Sequence, residues 1–145
     1  MKKIAIGLAV CCALLKTGAA ELEWMTDLAK AQAKAKQEKK LVMLDFTGSD
    51  WCGWCIKLNK DVFTKAEFIE YAKNNLVPVE VDFPTRKEQS VAVKKANQAL
   101  KAKYKVDGYP TIIVLNGEGK QVGELGYMSS PKAFIAELEK LKAKS

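Results

Sequence analysis

The sequence predicts an α/β domain built on one mixed sheet with helices on both faces. Three observations point there. Short apolar runs near residues 41–47, 76–83 and 111–115 read as strands. Segments with apolar residues at helical spacing lie between them, the pattern of strands paired in parallel through helical crossovers. A hairpin signal follows the third strand and adds an antiparallel edge. The expected order is helix, strand, helix, strand, helix, strand, strand, helix, in one domain with no internal repeat.

The chain opens with a segment that is read as a targeting signal. Lys2 and Lys3 precede an apolar run from Ile4 to Leu15, and Gly18 and Ala20 give a small-x-small end. This is the layout of a secretory leader, residues 1–20, with cleavage after Ala20. The run is shorter than the roughly 20 apolar residues a membrane span needs. An uncleaved anchor or a buried N-terminal helix is the alternative. A lipoprotein signal at Leu8–Cys11 is disfavoured by Val10. The remaining residues, 21–145, form the expected domain.

Residues 21–40 read as an amphipathic helix docked loosely on that domain, with Thr26 as its cap and Trp24, Leu28, Ala31 and Ala35 as its apolar stripe. Leu41 to Thr47 suits a strand buried on both faces. Gly48, Ser49 and Asp50 form a turn, and a helix starts at Cys52 and runs to about Asn74, with a break near Phe63-Thr64. Leu76 to Phe83 is the second strand, in which Pro78 marks a bulge or an edge-facing position. Val93, Ala96, Leu100 and Tyr104 place a helix over 88–104. Thr111 to Leu115 is rich in β-branched residues, hence a strand. Asn116 to Gly119 turns the chain into a partner strand over 120–127. Ser130-Pro131 is a cap followed by proline at the first helical position, and Phe134, Ile135, Leu138 and Leu141 line the last helix.

Charge excludes little and favours no large polyanion. Removing the leader takes away three lysines and no acid, which brings the net charge from +7 to +4. The lysines are spread along helices as a solvated surface, so neither nucleic acid nor a membrane surface is the expected partner. The mature chain is expected to carry no integral membrane span.

The cysteines are more informative. Cys11 and Cys12 lie in the leader, so the mature chain keeps only Cys52 and Cys55, in the stretch DWCGWC. One close pair is not a disulfide-stapled scaffold, and a bridge across so short a loop restrains little chain entropy. Zinc usually takes four ligands, whereas this pair offers two in a chain with no histidine. A metal cluster shared between two subunits is a remaining rival; otherwise no metal and no bound cofactor is expected. A reversible redox pair fits best. At the amino end of a helix, free N–H groups favour the Cys52 thiolate. Cys55, nearly one turn later, can reach it and resolve a mixed disulfide. Asp50 opposes the thiolate mildly and is expected to cap the helix. Trp51 is expected to pack the turn, Trp54 to be exposed for substrate contact, and Lys57 to be a solvated helix lysine.

The stretches DFTGSDWCGWC at 45–55, GYPT at 108–111 and TIIVLNGEGK at 111–120 resemble the thioredoxin superfamily over roughly residues 38–143. The resemblance is nearest to exported members similar to periplasmic domains that pass electrons to disulfide oxidoreductases. It implies a thioredoxin fold with an extra N-terminal helix. It implies Cys52 as the exposed nucleophile, Cys55 as the buried resolving cysteine, and Asp45 as the buried acid that takes the resolving thiol's proton. It also implies a cis Pro110 facing the disulfide, with the backbone of Tyr109 free to pair with substrate. Three departures stand out. The stretch between Asp45 and Trp51 is one residue longer than in typical thioredoxins. The dipeptide between the cysteines is Gly-Trp rather than Gly-Pro. Glu80 stands where a lysine is usual, and the expected orientation is toward solvent rather than toward Asp45.

The expected function is therefore that of an exported thiol–disulfide oxidoreductase, periplasmic or secreted. It would reduce or isomerise protein disulfides through Cys52 and Cys55, with protein thiols and disulfides as substrates and a redox partner to recharge the pair. The alternative is a non-catalytic thioredoxin-like module that binds protein segments around Trp54 and Pro110.

Overall fold

The computed structural model describes residues 21–145. The expected leader and its two cysteines lie outside the described residues. Helix α1 spans Leu28–Glu38, strand β1 Leu41–Thr47 and helix α2 Gly53–Leu58. Helix α2 passes directly into a π-helical turn, Asn59–Phe63. Helix α3 covers Ala66–Asn75, β2 Leu76–Asp82, α4 Val91–Lys103, β3 Thr111–Leu115, β4 Gln121–Leu125 and α5 Pro131–Lys142. The expected break after α2 therefore falls at Thr64 and Lys65.

The sheet order is β2-β1-β3-β4. β1 is central, and all seven of its residues are buried, as its largely apolar run predicts. Side chains alternate between faces with period two. Leu41 and Met43 of β1 and Ile112 and Val114 of β3 face α2, α3 and α5, where Phe63, Phe68 and Phe134 pack together. Val42, Leu44 and Phe46 face α1 and the end of α4, with Val77, Val79 and Val81 beside them.

Three expectations change. β3 runs antiparallel to β1, pairing Phe46 with Thr111 and Val42 with Leu115, whereas β1 and β2 are parallel. The reason is where the connection after β2 is held. Residues 85–87 are bound to Asp50, and Asn97 of α4 donates to Asp82 O, so the connection stays at the end of the sheet where β2 finished, and β3 starts there and runs the other way. Second, α1 is capped by Asp27, whose Oδ1 accepts from the Lys30 N–H at 3.1 Å, not by Thr26. Its docking is close rather than loose, because Ala31 and Ala35 are fully buried. Third, Trp24 does not belong to the α1 stripe. It lies on the opposite face of the sheet, edge-on to Phe63 with ring centroids 5.4 Å apart.

The segment before α1 is held along the outer edge of β2. The Met25 N–H donates to Pro78 O (2.9 Å), and Glu80 N–H donates to Met25 O (2.8 Å). Pro78 thus turns its donor-less nitrogen away from β1, the edge-facing arrangement a strand proline requires.

Candidate active site

The site forms where β1 ends and α2 begins. The Trp51 and Cys52 N–H groups both donate to Gly48 O, at 3.2 and 2.8 Å, closing a turn that delivers Cys52 as the N-cap of α2. The Cys55 N–H donates to Cys52 Sγ at 3.2 Å, so a helix-terminal donor reaches the sulfur as the spacing predicts. Cys52 and Cys55 are joined in a disulfide, with Cα atoms 5.2 Å apart.

The expected contrast between an exposed and a buried cysteine is slight, since Cys52 is 7% exposed and Cys55 5%. What separates them is surroundings. Cys55, and not Cys52, lines a cavity of about 320 Å³ together with Asp45, Ser49, Glu80, Lys87 and Trp24. Strand periodicity explains the set. Asp45 shares the face of Leu41 and Met43, the face that α2 covers, and Glu80 is its register neighbour on the parallel strand β2. Asp45 is buried, and its Oδ1 has no hydrogen-bond partner among the described residues. Burial pushes its carboxyl up to about 8, reinforced by the charges of Glu80 and Asp82. Glu80, half-buried, lines the same cavity as the acid, contrary to the expected solvent orientation. Its own carboxyl is raised by burial and by Asp82, and Lys87 opposes the rise.

Asp50 does not cap the helix. Its carboxylate accepts from the backbone N–H groups of Thr85 (2.9 Å), Arg86 (2.7 Å) and Lys87 (2.9 Å). Those bonds, led by that from Thr85, hold Asp50 well below the usual carboxylate range, against burial. Arg86 donates back from its guanidinium to Asp50 O. Ser49 is tied to Asp82 through its N–H (2.9 Å) and hydroxyl (2.5 Å), and Lys87 Nζ donates to Ser49 Oγ at 3.0 Å. The turn before Cys52 is thus clamped to Asp82 at the end of β2 and to the loop that follows it.

Aromatic side chains surround the pair. Trp51 packs on Gly48, where a Cβ would meet its indole at 2.5 Å, and donates Nε1–H to Phe83 O at 2.8 Å. Its ring meets Tyr109 edge-on at 5.9 Å, which sets the loop of Tyr109 and Pro110 beside the active-site turn. Tyr109 also packs against Phe83, with Lys101 over its face at 5.1 Å. The Tyr109–Pro110 peptide bond is cis, as the resemblance implies. Trp54 is 60% exposed, as expected, and rests on Tyr127 with centroids 4.9 Å apart. Tyr127 donates to Asp61 at 3.1 Å, and the same carboxylate takes Lys57 at 2.6 Å. Lys57 is thus paired rather than simply solvated.

Sequence reasoning missed the support under Trp54 and the orientation of Glu80. Period-two counting along 76–82 could have placed Glu80 on the face of Leu76. Nothing in the sequence marks Tyr127 or Lys87 as part of the site.

A helix-capping dithiol pair after a central strand, beside a cis-proline loop, defines a thiol–disulfide oxidoreductase of thioredoxin architecture. The chain belongs to the thioredoxin-like domain family, whose sequence profile matches residues 28–142. It is 41% identical over 125 residues to the disulfide bond reductase DsbH of Chlamydia pneumoniae, across 86% of this chain and 74% of the relative. It is 33% identical to the thioredoxin-related protein DsbJ of the same organism, across 71% of this chain and 30% of that longer protein. A solved structure of a DsbH oxidoreductase superposes with a TM-score of 0.80 at 34% identity, covering 98% of this chain and 95% of the other.

Proposed function

We propose that the protein is an exported reductant of protein disulfides. The observation that carries the exchange chemistry is that Cys55 alone of the pair shares a cavity with a buried carboxyl whose Oδ1 has no hydrogen-bond partner among the described residues. In the dithiol state the Cys52 thiolate attacks one sulfur of a substrate disulfide, and the other substrate sulfur leaves as a thiolate. Asp45 takes the proton of the Cys55 thiol. The Cys55 thiolate then attacks Cys52 Sγ, the Cys52–Cys55 bond forms, and the mixed disulfide breaks to release the second substrate thiolate. Two electrons pass from the enzyme dithiol to the substrate, whose thiolates take protons from solvent. A raised carboxyl suits the end of this sequence, when Asp45 holds the proton.

Trp54, Tyr109 and Pro110 bind the substrate segment, a role supported by the exposure of Trp54 and by the contact of Tyr109 with Trp51. The reducing direction is supported by the likeness to a disulfide bond reductase. Residues 1–20 act as the export leader and 21–145 as the redox domain, so the reaction takes place in the periplasm or outside the cell. A separate redox partner returns the pair to the dithiol.

Equilibration of the Cys52–Cys55 couple with glutathione tests the direction. A reductant gives a potential near thioredoxin's roughly −270 mV, and a value near −120 mV means an oxidant. Cys55→Ala should accumulate client proteins as mixed disulfides on Cys52, and Cys52→Ser should accumulate none. Full biological activity of Cys52→Ser would transfer the assignment to a binding module. An N-terminus at Glu21 on the exported protein checks the leader.

A further inference from the structure

In the cavity behind Cys55, β1 contributes Asp45, α2 contributes Cys55, β2 contributes Glu80, and the loop after β2 contributes Lys87. Asp82, also on β2 and buried, completes the charged groups that act on this pair of carboxyls. The backbone of Glu80 is fixed on both sides. Its strand is held on one side by β1 in register with Asp45 and on the other by the bond from its own N–H to Met25 O. The cation of the site comes from the loop rather than from the strand, with Lys87 tied to Ser49 Oγ.

We propose that Glu80 is a positioning residue for disulfide exchange: its carboxylate, set beside Asp45 in the Cys55 cavity, determines the pH at which Asp45 can take the proton of Cys55. The inference rests on the reading of Asp45 as the base of the resolving step. Two carboxyls that share one partly buried cavity resist double ionisation, so they titrate as a coupled pair. An ionised Glu80 holds a proton on Asp45, and Asp45 must lose that proton before it can accept another. Glu80 transfers nothing to the sulfurs. It acts through Asp45, and the redox balance is that of the exchange already described.

The test is the pH dependence of the resolving step. Reduced protein is mixed with dithiobis(nitrobenzoate), and the second, concentration-independent release of thionitrobenzoate reports attack of Cys55 on Cys52 Sγ. In the wild type this rate rises with pH through the Asp45 midpoint. Glu80→Gln should move that rise to lower pH by about one unit, the scale of losing one near charge, and so speed resolution about tenfold on its acid side. Glu80→Asp should restore the wild-type midpoint. A merely structural role would alter the rate at all pH values and leave the midpoint in place, and that result overturns the proposal.

The wild-type protein supplies a readout that needs no variant. The side-chain carboxyl carbon of Asp45, followed by NMR in the disulfide form, should titrate in two steps, one at the midpoint of Glu80. A single step overturns the proposal. Asp45→Asn separates the two ideas. If the pH rise survives that substitution, Asp45 is not the base and both fall. If it disappears while Glu80→Gln leaves the midpoint unmoved, only the role of Glu80 falls.

Discussion

Asp45 is expected to act against the fold near neutral pH. Its ordinary value is 3.8 and burial moves it to about 8. Below the lower value both folded and unfolded chains hold the proton, and the residue is neutral in the balance. Between the two values the unfolded chain releases a proton that the folded chain keeps, so stability falls as pH rises through this window. Asp45→Asn should therefore stabilise the disulfide form near pH 7 by on the order of 3–5 kcal/mol. The gain should vanish near pH 4, as urea midpoints measured against pH will show. The same variant should slow resolution of a mixed disulfide. On the proposed reading of Asp45 as the base, stability is given up for a proton acceptor.

At the scale of elements, the loop between β2 and α4 is shaped by the active-site turn. One carboxylate, Asp50, takes three successive N–H groups of that loop. Asp82 O takes the side-chain amides of Gln89 (3.1 Å) and Asn97 (2.9 Å) from the loop's far end and from α4. Asp50→Ala should release residues 85–87 and leave the sheet in place. Hydrogen exchange should then show lost protection at the Thr85, Arg86 and Lys87 amides, with that of β1 and β3 retained. The depressed Asp50 carboxyl also has a pH signature. Its contribution is fully present above its unfolded value of 3.8 and is lost as pH falls below it. Exchange at these three amides should rise in acid before the core opens.

At the scale of the molecule, two cores flank one sheet, and the site sits at the edge between them. Phe63, Phe68 and Phe134 meet at centroid distances of 5.2 to 5.7 Å and join the π-helical turn, α3 and α5. Phe134 is fully buried, so Phe134→Ala should cost about 3–5 kcal/mol in denaturant unfolding. The pH midpoint of resolution should stay in place in the folded fraction, because Asp45 and Glu80 hold their register through β1 and β2. Much of this architecture was legible in the residues. The largely apolar run at 41–47 marked the central strand. The Asn116–Gly119 signal marked the hairpin, and Ser130-Pro131 the start of α5. The cysteine pair after a strand marked the chemistry. Each is a local pattern, written in spacing of a few residues and in backbone preference. Only the tertiary structure decided the direction of β3, the departure of Trp24 from the α1 stripe, the partners of Asp50 and the pairing of Glu80 with Asp45. These depend on which strand lies beside which and in what register, an outcome of burying both sheet faces at once. Residues such as Asp45 and Glu80, 35 positions apart, become neighbours only through that pairing.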